Sequence, residues 1–223
     1  MTSSRQGEPN ASTETKQRLL RAGERLFARE GIHRVRVRDI HELAGQRNAS
    51  ALHYHFSSRE GLVDAILADH QASIDTEIAA RLDELEADGE PLSIRDVVTA
   101  VVEALGRKLD TQSGRDFLRI IPQIWDRLST GIREGGVVAT TRLTRRVLDL
   151  LDGLMEPLPR AVRRERLVAY IVMMTASFAE RAHHVESRRR SDTRSDISTD
   201  EFAANLVDMI VAALTAPSSA IAR

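Results

Sequence analysis

The chain of 223 residues predicts an all-α protein. Three observations predict it: apolar residues recur at helical spacing through most of the length, strand-like alternation is confined to one short stretch, and glycines and prolines gather where helices should end. The polar segment 1–12 reads as a disordered arm. A first helix follows from about Thr13 to Glu30, because Leu19, Leu20, Gly23, Leu26 and Phe27 line one stripe. Ser12 or Thr13 can cap it, Glu14 suits the positive end of its dipole and Gly31 closes it.

The alternating stretch is Arg34-Val35-Arg36-Val37-Arg38. A strand is rejected there because Val37, Ile40, Leu43 and Ala44 continue at helical spacing, giving a short helix from Arg36 to Ala44 that Gly45 ends. A third helix spans Asn48 to Phe56, with Leu52 and Phe56 inward. Ser57 or Ser58 then caps a long fourth helix from Arg59 into the mid-eighties. Beyond it, periodicity predicts helices at Ser93–Leu109, Gly114–Ser129, Thr140–Leu154, Arg160–Glu186 and Thr199–Thr215. Pro122 should kink the second of these, and Ser187–Ser198 reads as a mobile polar loop. The resulting domains are a head at 13–60, a helical body at 61–215 and a tail at 216–223.

Composition narrows the function. With 42% hydrophobic and 29% charged residues the chain reads as a globular protein. It has no cysteine, which removes disulfides and thiolate-bound metals and suits a reducing compartment. The longest uncharged apolar run, Leu167 to Ala179, falls short of the roughly 20 residues a membrane span requires. No secretory pattern precedes the first helix, so a cytoplasmic location is expected. The net charge of −1 conceals a segregation: basic residues outnumber acidic ones through Leu62, and the reverse holds beyond it. A basic head on an acidic body is the distribution of a nucleic-acid binder with a separate second domain.

Three short helices, the last two separated by a glycine-containing turn, are the layout of a helix-turn-helix. Leu52 and Phe56 hold the third helix from within. Arg47, Asn48, Ser50, His53, Tyr54 and His55 supply donors on its other faces, suited to base edges and phosphate oxygens of double-stranded DNA. His53 and His55 project about 200° apart on a helix, so they cannot share a metal ion.

The residues carrying this layout resemble a known family. Thr15-Lys16-Gln17-Arg18-Leu19-Leu20, Leu26-Phe27-Ala28-Arg29-Glu30-Gly31, Val37-Arg38-Asp39-Ile40, Ala44-Gly45, Leu52-His53-Tyr54-His55-Phe56 and Ser58-Arg59-Glu60-Gly61-Leu62 occur in the order found in TetR-type (TetR/AcrR) transcriptional regulators. The resemblance covers residues 13 to 66. It implies phosphate contacts from Tyr54, His55 and Arg59, and Thr15 joins the expected DNA-binding residues. It also implies a body that binds a small effector and dimerises through its last two helices. Two departures stand out. The stretch Gln46 to Ala51 is one residue longer than the common form, which shifts the register of Arg47, Asn48 and Ser50. Arg36 stands where the family carries Thr or Ser, so a guanidinium replaces a hydroxyl near phosphate.

In the body, Leu167, Tyr170, Ile171, Met174 and Phe178 form one apolar stripe, and Phe202, Leu206, Met209, Ile210, Ala213 and Leu214 another. Ala169, Ala176, Ala179 and Ala182 permit close helix approach. These stripes suit either an intramolecular core or a four-helix homodimer seam. A pocket for an apolar or amphipathic effector is expected from Phe117, Ile121, Trp125, Tyr170, Met173, Met174 and Phe178. No cofactor, metal or catalytic residue is assigned, and no nucleophile elbow, phosphate-binding glycine loop or His-Glu-x-x-His occurs. Two other readings are a metal-binding bundle or enzyme built on Glu180, His183 and His184, and a helical adaptor for protein partners. The donor cluster on the head argues against the adaptor.

Overall fold

The computed structural model describes residues 8–48, 50–124, 141–156, 158–188 and 197–218. All regular structure among them is helical, and the chain divides into two compact units, Met1–His70 and Gln71–Arg223.

The first unit holds α1 (Glu8–Glu30), α2 (Val37–Leu43), α3 (Ala51–Phe56) and the beginning of α4 (Arg59–Ala87). Helix α1 starts inside the segment expected to be a disordered arm. Pro9 does not oppose this, because the first turn has no intrahelical use for the N–H that proline lacks. Leu19, Phe27, Ile40, Leu52, Phe56, Leu62 and Ile66 are buried and form the core of the unit. In α2 the inward face is narrower than expected. Ile40 and Ala44, four apart, are buried, whereas Val37 and Leu43 are exposed. Ser58 settles the α4 cap, its Oγ accepting from the Gly61 amide at 3.0 Å.

The unit extends to His70, ten residues past the expected boundary, because the start of α4 belongs to this core. The buried His70 ring meets the buried Glu24 carboxylate at 2.5 Å, and Arg21 bridges Glu24 at 3.0 Å and Asp69 at 2.9 Å. These bonds fasten α4 to α1.

The second unit contains the rest of α4 and α5 (Ile94–Gly106), α6 (Gln112–Ile120), α7 (Arg142–Leu154), α8 (Arg160–Arg188) and α9 (Thr199–Thr215). Short 3₁₀ turns occupy Arg107–Leu109 and Ile121–Ile124. Side chains cap the helices at their N-termini: Ser93 accepts from the Asp96 amide, Thr111 from Gly114, Thr141 from Thr144 and Ser198 from Glu201. Helix α6 packs on α8, while α9 packs on α5 and α8. At the far end of α9, Arg166 donates to the carbonyls of Leu214 and Ala216, where a cation also complements the helix dipole.

Pro122 ends α6 where a kink was expected, since it cannot donate to the helical ladder and the chain tightens into a 3₁₀ turn. Helix α8 runs to Arg188, so the start of the expected polar loop is helical, and residues 189–196 lie outside the described residues.

Candidate nucleic-acid interface

The turn between α2 and α3 is built almost entirely by local hydrogen bonds. Gly45 takes φ +64, a left-handed conformation that costs glycine little, and its amide caps Glu42. The Gln46 amide donates to the carbonyl of His41 at 2.8 Å. Asn48 Oδ1 accepts from the Ser50 amide at 2.9 Å, an Asx turn that leads into α3. Ser50 occupies the N-cap of α3 without using its hydroxyl for the cap. The Leu52 amide donates instead to Nε2 of His41, a buried side chain on α2, at 3.3 Å.

Helix α3 then divides by face. Ala51, Leu52 and Phe56 are buried. His53 is exposed, and Tyr54 is 79% exposed with its ring edge-on to half-buried His55 at 4.9 Å between centroids. The helix closes at Ser57, which has φ 63 and donates its amide to the His53 carbonyl. α4 follows at once, and it approaches so closely that a Cβ on Gly61 would stand 2.0 Å from the Phe56 carbonyl oxygen.

The other expected contacts surround this element. Arg36, at the N-cap of α2, is exposed. It has no acceptor atom to offer as a cap, so its amide donates to Asp39 Oδ2 at 3.0 Å in half of a capping box. Arg47, Asn48 and Ser50 are exposed on the turn, and Thr15 is half-buried on α1. Arg59 is half-buried and holds the Val35 carbonyl at 3.3 Å, with Glu60 3.7 Å away. Thus Asn48 and Arg59 each spend part of their hydrogen-bonding capacity inside the unit. Asn48 keeps its amide NH₂, and Arg59 its Nη2 hydrogens, for an external acceptor. His41 is the residue that sequence reasoning missed. A histidine at an inward helical position carries no signal that its ring caps another helix.

In the second unit, Phe117, Tyr170, Met174 and Phe178 are buried, and Ile121 and Met173 are half-buried. Packing of α6 on α8 brings Phe117 and the Tyr170–Phe178 stripe to one helix pair. Burial pushes the Tyr170 phenol well above its ordinary pKa. Trp125 lies outside the described residues. The same helix pair carries charge that hydropathy did not foretell. Gln112 bridges Asp116 at 3.1 Å and Glu186 at 2.8 Å, and Arg115, 1% exposed, donates to the Leu109 carbonyl and to Gln112. Glu180, His183 and His184 are exposed on α8, and no group of three or more His, Asp or Glu among the described residues is arranged to hold a metal ion.

The α8 and α9 stripes partition by face. Leu167, Tyr170, Met174, Phe178 and Ala182 turn inward with Leu206, Ile210 and Leu214, while Ile171 is half-buried. Phe178 meets Phe202 edge-on at 5.4 Å, with the Arg181 guanidinium 5.2 Å over the Phe202 ring. Met209 and Ala213 face out, as do Ala169, Val172 and Ala176.

A small helical unit whose last short helix shows polar donors outward, followed by a helical body, defines a helix-turn-helix DNA-binding protein. Residues 19–66 match the family model described as bacterial regulatory proteins, tetR family. Over 155 residues the chain is 30% identical to the HTH-type transcriptional regulator TtgR of Pseudomonas putida, covering 69% of each chain. It is 29% identical over 167 residues to the probable HTH-type transcriptional regulator ArpR, also of Pseudomonas putida, covering 74% of each. Among solved structures it resembles NalD, the secondary repressor of the MexAB-OprM multidrug efflux pump in Pseudomonas aeruginosa. That match has a TM-score of 0.53 at 17% identity, over 89% of this chain and 95% of that one. The chain belongs to the TetR family and is a DNA-binding transcriptional regulator. No helix among the described residues is long and apolar enough to cross a membrane.

Proposed function

We propose that the protein is a homodimeric repressor that binds a pseudo-palindromic operator and is released by an apolar or amphipathic small molecule held in the second unit. The outward apolar seam of α8 and α9 carries this reading: Val172 is 43% and Met209 48% exposed, with Ala169, Ala176 and Ala213 beside them. A seam of small and apolar residues on two adjacent helices suits a second copy of itself across a two-fold axis. Two-fold symmetry presents two recognition helices and so requires two inverted half-sites. Arg47, Asn48 and Ser50 read bases from the turn, while Thr15, Arg36, His53, Tyr54, His55 and Arg59 meet phosphates. Phe117, Ile121, Trp125, Tyr170, Met173, Met174 and Phe178 contribute the effector pocket.

Helix α4 is common to both units, so an effector that favours one placement of α4 changes the dimer's fit to DNA. A coupling of about 1–3 kcal/mol lowers operator affinity roughly 5–150-fold. The test is a gel shift of the full chain on DNA upstream of its own gene, across a salt series and with excess poly(dI-dC). A discrete complex of two protomers per operator is expected, and apolar compounds that quench Trp125 fluorescence should dissolve it. Sequence-blind binding, or a monomer on DNA, overturns the proposal.

A further inference from the structure

We propose that His41 is a specificity-determining positioning residue, one that fixes the recognition turn by bonding both of its ends. The assignment rests on the head's role in reading DNA. Its backbone carbonyl accepts the Gln46 amide at 2.8 Å where the turn begins, and its ring Nε2 accepts the Leu52 amide at 3.3 Å where α3 has begun. Arg47, Asn48 and Ser50 lie between these two bonds to one residue of α2.

The need for such a brace follows from the local chemistry. An amide in the first turn of a helix has no partner within the helix. The N-cap residue ordinarily supplies one, but the Ser50 side chain makes no cap bond, and Asn48 Oδ1 is already engaged by the Ser50 amide. Helix α3 has six residues, so it has little internal ladder with which to hold its own direction. The His41 ring is buried, 7% exposed, where water cannot replace it as the acceptor for Leu52. Because the partner is an N–H, Nε2 is the unprotonated nitrogen of this imidazole. The bond ties the start of α3 to the body of α2, and so sets where the turn's donors stand relative to base edges.

The consequence is selective. Phosphate contacts tolerate small displacements because they are largely electrostatic, whereas base readout requires hydrogen-bond geometry. Loss of the brace should therefore reduce discrimination between sequences and leave general DNA affinity in place.

The experiment uses the full chain and the duplex that the wild-type protein selects from a random-sequence pool. His41→Leu fills similar space but accepts nothing; His41→Gln offers an Oε1 acceptor. With His41→Leu, affinity for the selected duplex should fall roughly tenfold, the loss of about one hydrogen bond, while affinity for poly(dI-dC) stays unchanged. Amide exchange at Leu52, followed by NMR, should quicken in His41→Leu, and His41→Gln should restore both protection and discrimination. An unprotected Leu52 amide in the wild type overturns the assignment without recourse to any variant. So does a His41→Leu protein that discriminates as well as wild type, or a His41→Gln protein that protects Leu52 yet fails to discriminate. A wild type that selects no sequence from the pool overturns the head's reading role, and this assignment with it.

Discussion

Ser57 is the described non-glycine residue that the backbone forces to positive φ, and the reason lies in its neighbours. Helix α3 must stop at Phe56 and α4 must start at Arg59, leaving two residues for a sharp reversal. A side chain in the left-handed region costs about 1 kcal/mol that glycine avoids. Ser57→Gly should accordingly raise stability by roughly 0.5–1 kcal/mol, read from chemical denaturation, with operator binding unaltered. A second residue-scale expectation separates the two kinds of DNA contact. Tyr54→Phe removes a hydroxyl from an exposed ring and should weaken binding to every sequence alike. Arg47→Ala should instead relax preference by about 1–3 kcal/mol at the base pair it contacts, measured by competition with single-substituted duplexes. If Tyr54→Phe altered base preference, Tyr54 would not be a phosphate contact.

At the scale of elements, most helices were legible because their signals are local. The Thr199–Thr215 helix is found with its expected ends, and Ser198 with Glu201 forms the capping box that begins it. Less legible were features that depend on what lies across space. The Val37 and Leu43 side chains fit a helical stripe on paper, yet packing on α1 and α3 buries Ile40, His41 and Ala44 and leaves those two exposed. The buried charges of Arg115, Asp116 and Glu186 were invisible, because polar residues read as solvated until their partners on another helix are known. The exposed polar residues of the turn and α3 were legible as a cluster, but Asn48's part in the Asx turn was not.

The capping boxes also give pH dependence a definite sign. The Ser93 hydroxyl and then its backbone amide hold Asp96 below the usual carboxylate range. The stabilisation is therefore complete above that range and is lost as pH falls through the lowered value of the folded protein. Asp96→Ala should cost roughly 0.5–1 kcal/mol near neutral pH. That difference from wild type should shrink in strong acid, as followed by denaturation across a pH series.

For the whole molecule, the decisive question is what covers the seam on α8 and α9, since the inward half of each stripe already satisfies the core. Val172 and Met209 together with exposed alanines leave apolar area that a second copy can bury. A carboxylate at the centre of such a seam must be desolvated without a partner on dimerisation, whereas in the monomer it faces water at little cost. Val172→Glu should thus yield a folded monomer by sedimentation, with its thermal transition retained at high protein concentration. Operator affinity should drop by orders of magnitude, because each head then binds its half-site unaided and the gain from linkage disappears. Affinity for a single half-site should be unchanged, which separates loss of dimerisation from damage to the head. A Val172→Glu protein that still sediments as a dimer would place the two-fold contact elsewhere on the molecule.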